Sequence, residues 1–181
     1  MTIDFSIDEK DFLTNQLYMA SKSDRIRKKR KRNRIILPLI YVAFGILFLF
    51  TDKLPLTIIF LIIGLLWYIV YPIYEKRYYI KHYQGFIKDN YKERIGKTSS
   101  LEINDDFIIG KDSGSESKIL TKELEEINEI PTTIFVKLKT GQSLILPKNK
   151  IKNIDLLIIR LKQLASSLNI PYNLDEKWEW K

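Results

Sequence analysis

No cysteine occurs in the 181 residues. Disulfides, thiol nucleophiles and thiolate-held metals are thereby excluded. Histidine is almost as scarce, with His82 the only one. A catalytic triad or an imidazole metal site is hard to build on one ring set between Lys81 and Tyr83, and a solvated histidine is the plainer reading. Seven glycines are scattered without forming a glycine-rich phosphate loop. No cofactor and no metal is implied. Ser115-Glu116-Ser117-Lys118 and Lys139-Thr140-Gly141 match the S-x-x-K and K-T-G elements of penicillin-recognising serine enzymes. In those enzymes the nucleophile begins a helix of a far larger domain. Here Ser115 falls in a loop before a strand, and Thr140-Gly141 reads as a hairpin turn. The carboxylates Asp105, Asp106, Glu123, Glu125 and Glu126 read as turn and exposed-strand residues. No enzymatic activity is expected.

Long apolar sequence, by contrast, is abundant. Ile35–Phe50 and Leu54–Ile73 stand back to back, separated by Thr51-Asp52-Lys53, and neither run carries a charge. As helices rising about 1.5 Å per residue they span roughly 24 and 30 Å, against a hydrocarbon core about 30 Å thick. Arg34 and Lys53 can snorkel to extend the shorter run. The first run holds twelve Ile, Leu, Val and Phe, and the second thirteen. At about −0.3 to −0.6 kcal/mol each, these favour insertion by several kcal/mol per run. Buried helices of soluble proteins usually keep a polar face, and neither run has one. Asp4, Asp8, Glu9 and Asp11, with no cleavage-type segment after the first run, speak against a signal peptide. The expected element is a transmembrane hairpin with spans at 35–50 and 54–73 and a turn at 51–53.

Charge sets its orientation. Arg25, Arg27, Lys28, Lys29, Arg30, Lys31, Arg32 and Arg34 form a run with no acid among them. The chain has 30 Lys and Arg against 22 acids. Without this run of eight the two signs balance, so it carries the whole net charge of +8. Lys76, Arg77 and Lys81 follow the second span, against Glu75 alone. Basic flanks stay cytoplasmic, which places both termini inside and Thr51–Lys53 outside. A run abutting a span reads as a contact for anionic lipid headgroups. Nucleic acid is not an expected partner, because a phosphate-tracking surface would extend over the folded domain. From Gly96 onward the chain has thirteen basic and thirteen acidic residues. Trp67, Tyr68, Tyr71, Tyr74 and Tyr78, with Tyr79 and Tyr83 beyond, form an aromatic belt at the same boundary.

The remainder divides into an N-terminal strand and basic amphipathic helix over 1–34, a juxtamembrane helix over 74–95 and a cytoplasmic domain over 96–181. Ile3, Phe5 and Ile7 alternate as in a strand. Ser6 with Glu9 suggests a capping box. The helix that follows is expected to run unbroken into the first span. The second helix should extend toward Lys92, with Gly96 as its stop. Strands are expected around Leu101–Ile103, Phe107–Lys111, Lys118–Leu120, Glu125–Ile130, Ile134–Lys139 and Gln142–Leu146. Turns fall at 104–106, 112–115 and 140–141. Ile154, Leu157, Ile158, Leu161, Leu164, Ala165 and Leu168 mark one apolar helical stripe, capped by Asn153 and stopped by Asn169 and Pro171. The fold class is α+β: the hairpin plus a small, bent antiparallel sheet or barrel closed by a C-terminal helix. Thr2–Ile7 completes the sheet, and Trp178 and Trp180 dock on the domain or at the lipid interface.

Several segments carry a resemblance, in order along nearly the whole chain. They are Gln16-Leu17-Tyr18-Met19-Ala20-Ser21-Lys22-Ser23, the basic run, the hairpin, and Gly114-Ser115-Glu116-Ser117-Lys118-Ile119. Thr140-Gly141-Gln142-Ser143-Leu144-Ile145-Leu146-Pro147-Lys148 and the Trp178-Glu179-Trp180 ending complete the set. Together they resemble the bacterial YcxB-like membrane proteins. The resemblance implies a pleckstrin-homology-like C-terminal domain in the bacterial plasma membrane, and no catalytic residues. The leading expectation is a non-enzymatic interaction module for an unknown protein or peptide partner. The alternatives are headgroup binding by the domain itself, with Lys148, Lys150 and Lys152 as a basic edge, or an accessory subunit of an envelope or transport complex. Self-association as a homo-oligomer through Gly45 and Gly64 stays open at this point.

Overall fold

The computed structural model describes residues 1–112 and 114–181. Ser113, within the turn expected at 112–115, lies outside the described residues. The chain divides into two compact units: Met1–Asn15 with Gln84–Glu179, and Gln16–Tyr83 with Trp180–Lys181.

The first is a sheet unit. Strand β1 (Thr2–Ser6) pairs antiparallel with β2 (Thr98–Ile103), so the N-terminal strand does complete the sheet. β3 (Phe107–Asp112) and β4 (Ser115–Leu120) follow in the order β1-β2-β3-β4. A second sheet has the order β7-β6-β5-β8, from β5 (Leu124–Glu129), β6 (Thr133–Leu138), β7 (Ser143–Pro147) and β8 (Tyr172–Leu174). The strands therefore form two sheets, and no closed barrel, among the described residues. Between β4 and β5 the chain makes a 3-10 turn at Thr121–Glu123, and no ladder joins the two strands among the described residues. β5 and β8 run parallel, which the short Tyr172–Leu174 segment did not announce.

Helix α4 (Ile154–Leu168) has the predicted bounds. Leu157, Leu161, Leu164 and Ala165 are buried, with Ile154, Ile158 and Leu168 packed around them. They join Ile3, Phe5, Leu101, Ile103 and Ile108 of the first sheet and Ile127, Ile134, Val136 and Leu146 of the second in one core. Full burial of a side chain such as Leu157 or Leu161 contributes about 1.5–3 kcal/mol. The start of α4 differs in detail: Asn153 is the N-cap residue but makes no side-chain capping bond. Its stop is as expected, with Asn169 in the left-handed region at φ 53°.

In the second, hairpin unit, α2 (Asp24–Leu49) is joined by a short turn to α3 (Leu54–Asn90), which belongs to this unit as far as Tyr83. Both are long and apolar enough to cross a membrane. Their most apolar 18-residue windows have mean hydropathies of 1.6 and 2.4 and are only 6% and 11% buried. Helix α1 (Glu9–Lys22) does not run on into α2. Ser23 breaks the path in an extended conformation (ψ 116°), and its hydroxyl accepts from the Ile26 N–H as a fresh N-cap. The start of α1 is also capped differently from expectation. The Asp11 N–H donates to Asp8 Oδ1 and the Asp8 N–H donates to Asp11 Oδ2, both at 2.9 Å, leaving Ser6 in β1. Two carboxylates beside the positive end of the helix do what a Ser–Glu pair would have done. α3 ends at Asn90, and Gly96 (φ 75°) instead donates its N–H to the Ile7 carbonyl at 2.8 Å.

Both membrane-type glycines lie in the seam of this hairpin. A Cβ on Gly45 would stand 3.3 Å from the Leu61 side chain. One on Gly64 would stand 3.3 Å from Tyr41 Cβ and 3.5 Å from the Pro38 carbonyl oxygen. Phe60 fills the next stretch, packing against Phe48, Phe44 and Tyr41 at centroid distances of 5.3, 5.7 and 6.2 Å. The two glycines through which the sequence leaves self-association open thus each face the other helix of the same hairpin.

Candidate functional site

Ion pairs engage many of the charged groups in the sheet unit. Asp105 is held by Arg160 at 2.7 Å, while Glu125 and Glu126 hold Lys137 at 2.8 and 3.3 Å. Hydrogen bonding to Glu125 raises Lys137 above the ordinary lysine value against the opposing effect of burial. Glu129 is buried in β5 and accepts from Lys148 Nζ at 2.6 Å and from the Tyr172 hydroxyl. Burial pushes its carboxyl up, but these two bonds outweigh that and hold it below the usual range. Tyr172 is raised by burial and by the same carboxylate. Lys150 closes on Asp11 and Asp8 at 2.5 and 2.7 Å, fixing the start of α1. These are clamps: one ties β8 to the sheet and the other ties α1 to the turn after β7. They also neutralise two members of the basic edge proposed for headgroup binding, leaving Lys152 as the member without an ion pair among the described residues.

The penicillin-like motifs are not assembled into a nucleophilic site. Ser115 begins β4, an edge strand rather than a helix, and Lys139-Thr140-Gly141 forms the turn between β6 and β7. The strand begins three residues earlier than the sequence pattern suggested, because Ser115, Glu116 and Ser117 have no apolar alternation to betray it.

The hairpin unit carries the chemically concentrated region. Ile26, Arg30 and Arg34 recur every fourth residue on one face of α2, and Tyr68, Tyr71, Glu75 and Tyr79 share a face of α3. Arg34 lies over the Tyr68 ring at 4.5 Å. Arg30 Nε donates to Glu75 Oε2 at 3.0 Å, and its Nη2 donates to the Lys181 carbonyl at 2.6 Å. The same guanidinium lies 4.5 Å from the Trp180 ring and 5.8 Å from Tyr79. Trp180 in turn meets Tyr79 edge to face at 5.6 Å and is buried. Glu75, buried to 7% exposure, also receives a long bond of 3.4 Å from the Tyr71 hydroxyl. One arginine thus holds an acid, two rings and a backbone carbonyl.

The other basic residues behave differently. Arg27 pairs with Asp24 one turn back. Lys28, Lys31, Arg32, Lys76, Arg77 and Lys81 are exposed and make no ion pair among the described residues. Arg25 and Lys29 are likewise unpaired but line a groove with Ser23, Tyr78, His82 and Tyr83, enclosing about 520 Å³. Tyr78 and His82 are nearly parallel there, 6.2 Å apart at 6°. Of the aromatic belt, Tyr68, Tyr74 and Tyr78 are exposed, whereas Trp67 and Tyr71 stack on each other at 5.3 Å. Sequence reasoning placed the basic run and the belt at one boundary but missed the part played by Glu75 and Trp180. The available signal was Glu75 itself, the single acid on a basic flank.

No family model, no curated protein and no solved structure matches the chain.

Proposed function

We propose that this chain is a membrane-anchored, non-enzymatic interaction module of the YcxB-like kind. In this reading α2 and α3 cross the bacterial plasma membrane as a hairpin, both termini lie in the cytoplasm, and the sheet unit is a pleckstrin-homology-like domain. The outward-facing apolar side chains of both helices and the basic collar at one end of the hairpin support the membrane part. The order of four antiparallel strands, three more, and a helix closing the core supports the domain assignment.

The observation that carries the interaction role is the outer edge of β4. The strand pairs with β3 on one side and with no strand on the other among the described residues. Five of its six side chains are exposed, including Leu120. Such an edge is a template for an extended peptide, with backbone hydrogen bonds for affinity and alternate side chains for selectivity. The occupant is a linear segment of a protein partner. Photo-crosslinking in intact cells tests this, with the reactive side chain placed at Glu116 or, as control, at exposed Leu156 on α4. A product formed at Glu116 and absent at Leu156 is expected. Equal capture at both positions, or recovery of the bare chain from both, would sink the proposal.

A further inference from the structure

We infer that the groove between the start of α2 and the cytoplasmic end of α3 binds one anionic membrane phospholipid through its phosphate. This rests on the reading of α2 and α3 as a membrane hairpin and names a ligand for its collar.

The charges within reach decide the ligand's sign. Arg25 and Lys29, one turn apart on α2, both line the groove without a carboxylate partner. The nearby acids are committed elsewhere, Asp24 to Arg27 and Glu75 to Arg30. Two unneutralised cations in one concavity favour an anion, and guanidinium and ammonium groups are the usual donors to phosphate oxygens. Tyr78, His82 and Tyr83 of α3, and Ser23 before α2, line the same groove. The tyrosine and serine side chains offer hydroxyl donors and the rings offer apolar faces, suited to a phosphate joined to a glycerol backbone rather than to a fully hydrated ion.

Depth decides the source. Tyr78 stands five residues past Ile73 and Lys29 six residues before Ile35, so this end of the groove sits about 8–9 Å of helix beyond the hydrocarbon edge, with Arg25 and Tyr83 about 15 Å beyond it. The polar layer of one leaflet is roughly 5–8 Å deep, so lipid phosphates meet the groove at its Lys29–Tyr78 end, toward which the long Arg25 side chain can extend. The belt residues Tyr68 and Tyr74, exposed on α3, mark the same boundary. A soluble phosphoester has the same head chemistry, but nothing that would use the apolar surface just below.

The test uses the full chain reconstituted in lipid discs of phosphatidylcholine containing one-fifth phosphatidylglycerol, then released and weighed intact by native mass spectrometry. One retained phosphatidylglycerol per chain is expected. Arg25→Ala with Lys29→Ala should lower its retention by about tenfold or more. Lys28→Ala with Lys31→Ala, removing the same charge outside the groove, should leave it near the parent level. Equal loss in both double variants means diffuse surface attraction and overturns the site. Retention of inorganic phosphate by the detergent-solubilised chain, displacing phosphatidylglycerol, makes the occupant soluble and overturns the lipid. A chain that enters the discs but shows no lipid preference refutes this site alone; a chain that does not enter them refutes the hairpin reading as well.

Discussion

Removing Arg30 and removing Glu75 should destabilise the hairpin by unequal amounts, and removing both should cost less than removing Arg30 alone. At 3.0 Å and an effective dielectric constant near 20, the gross attraction is about 5–6 kcal/mol, offset by desolvation of several kcal/mol per ion. The pair's net worth is therefore small, but each partner's dependence on the other is large. The Glu75 side chain is 9% exposed and has one further bond, the 3.4 Å contact from Tyr71. Arg30→Met leaves that carboxylate nearly alone in a buried place, at a cost of about 3–5 kcal/mol. Arg30 is more exposed, at 22%, and without Glu75 it keeps the Lys181 carbonyl, Trp180 and Tyr79. Glu75→Met should therefore cost about 1–2 kcal/mol. In the double variant no charge is stranded, and at least about 2 kcal/mol of the Arg30→Met loss should return. Unfolding of the intact chain by dodecyl sulfate in mixed micelles, followed by tryptophan fluorescence, measures all four proteins. If Glu75→Met is as damaging as Arg30→Met, or if the two losses simply add, the account of Arg30 as the better-supported partner is wrong.

Three further outcomes can be checked on the same chain. Gly64→Ala should destabilise the hairpin where Gly45→Ala is neutral or stabilising. Both gain up to about 1 kcal/mol of helix propensity, and both would have a backbone oxygen in ordinary contact at 3.5 Å. At Gly64, however, the new methyl meets Tyr41 Cβ, which is fixed to its backbone, where at Gly45 it meets the outer atoms of the Leu61 side chain, which can rotate. The overpacking cost at Gly64 is about 1–3 kcal/mol, and equal effects in the same micelle titration would contradict the seam. Around α1, burial opposes but the Lys150 and Asp11 bonds prevail, holding Asp8 below its ordinary value, and the two carboxylates likewise raise Lys150 against its burial. Protection of the first-turn amides of α1 should therefore be lost as pH falls through the lowered Asp8 value, below about 3.8, and again as pH rises through the raised Lys150 value, above about 10.5. With Asp8 half exposed its share is at most about 1 kcal/mol, so Lys150→Met should remove roughly 2–3 kcal/mol, chiefly from Asp11; hydrogen exchange unchanged in that variant at neutral pH would count against the clamp. Finally, single cysteines at Asp52 and Ser115 on the thiol-free chain should be labelled by an impermeant maleimide from opposite faces of sealed membranes, and labelling from the same face refutes the topology.

What could be read from the sequence follows from the range of the forces involved. α4 was legible to the residue because its stripe is local: seven apolar side chains at helical spacing, stopped by an Asn that tolerates positive φ. The two apolar helices were legible for the same reason, since an uninterrupted apolar run needs no partner to be recognised. β4 was half seen, because a strand exposed on both faces carries no alternation, and its existence depends on pairing with β3. β8 was not seen at all: three residues acquire strand character only by lying parallel to β5, through the Ile127–Tyr172 and Glu129–Leu174 register. The Ser23 break was signalled by a good N-cap residue, yet the basic run on its far side continues as helix, and the two cues compete.

The same distinction orders the candidate sites. Basic side chains at a membrane boundary are recognisable from composition, but composition cannot say which of them are committed. Folding divides the run into three kinds. Arg27, Arg30 and Arg34 are engaged by Asp24, Glu75 and Tyr68, and they shape the hairpin. Lys28, Lys31 and Arg32 are exposed and make no ion pair among the described residues. Arg25 and Lys29 make no ion pair among the described residues and share a groove whose other lining residues are aromatic or uncharged. Lys148 and Lys150 illustrate the converse: a local basic edge in sequence becomes two internal clamps once Glu129, Asp8 and Asp11 are brought to it. The proposed anion site therefore rests on cations that folding leaves without a carboxylate in a concave surface, and among the described residues those lie on the helical hairpin.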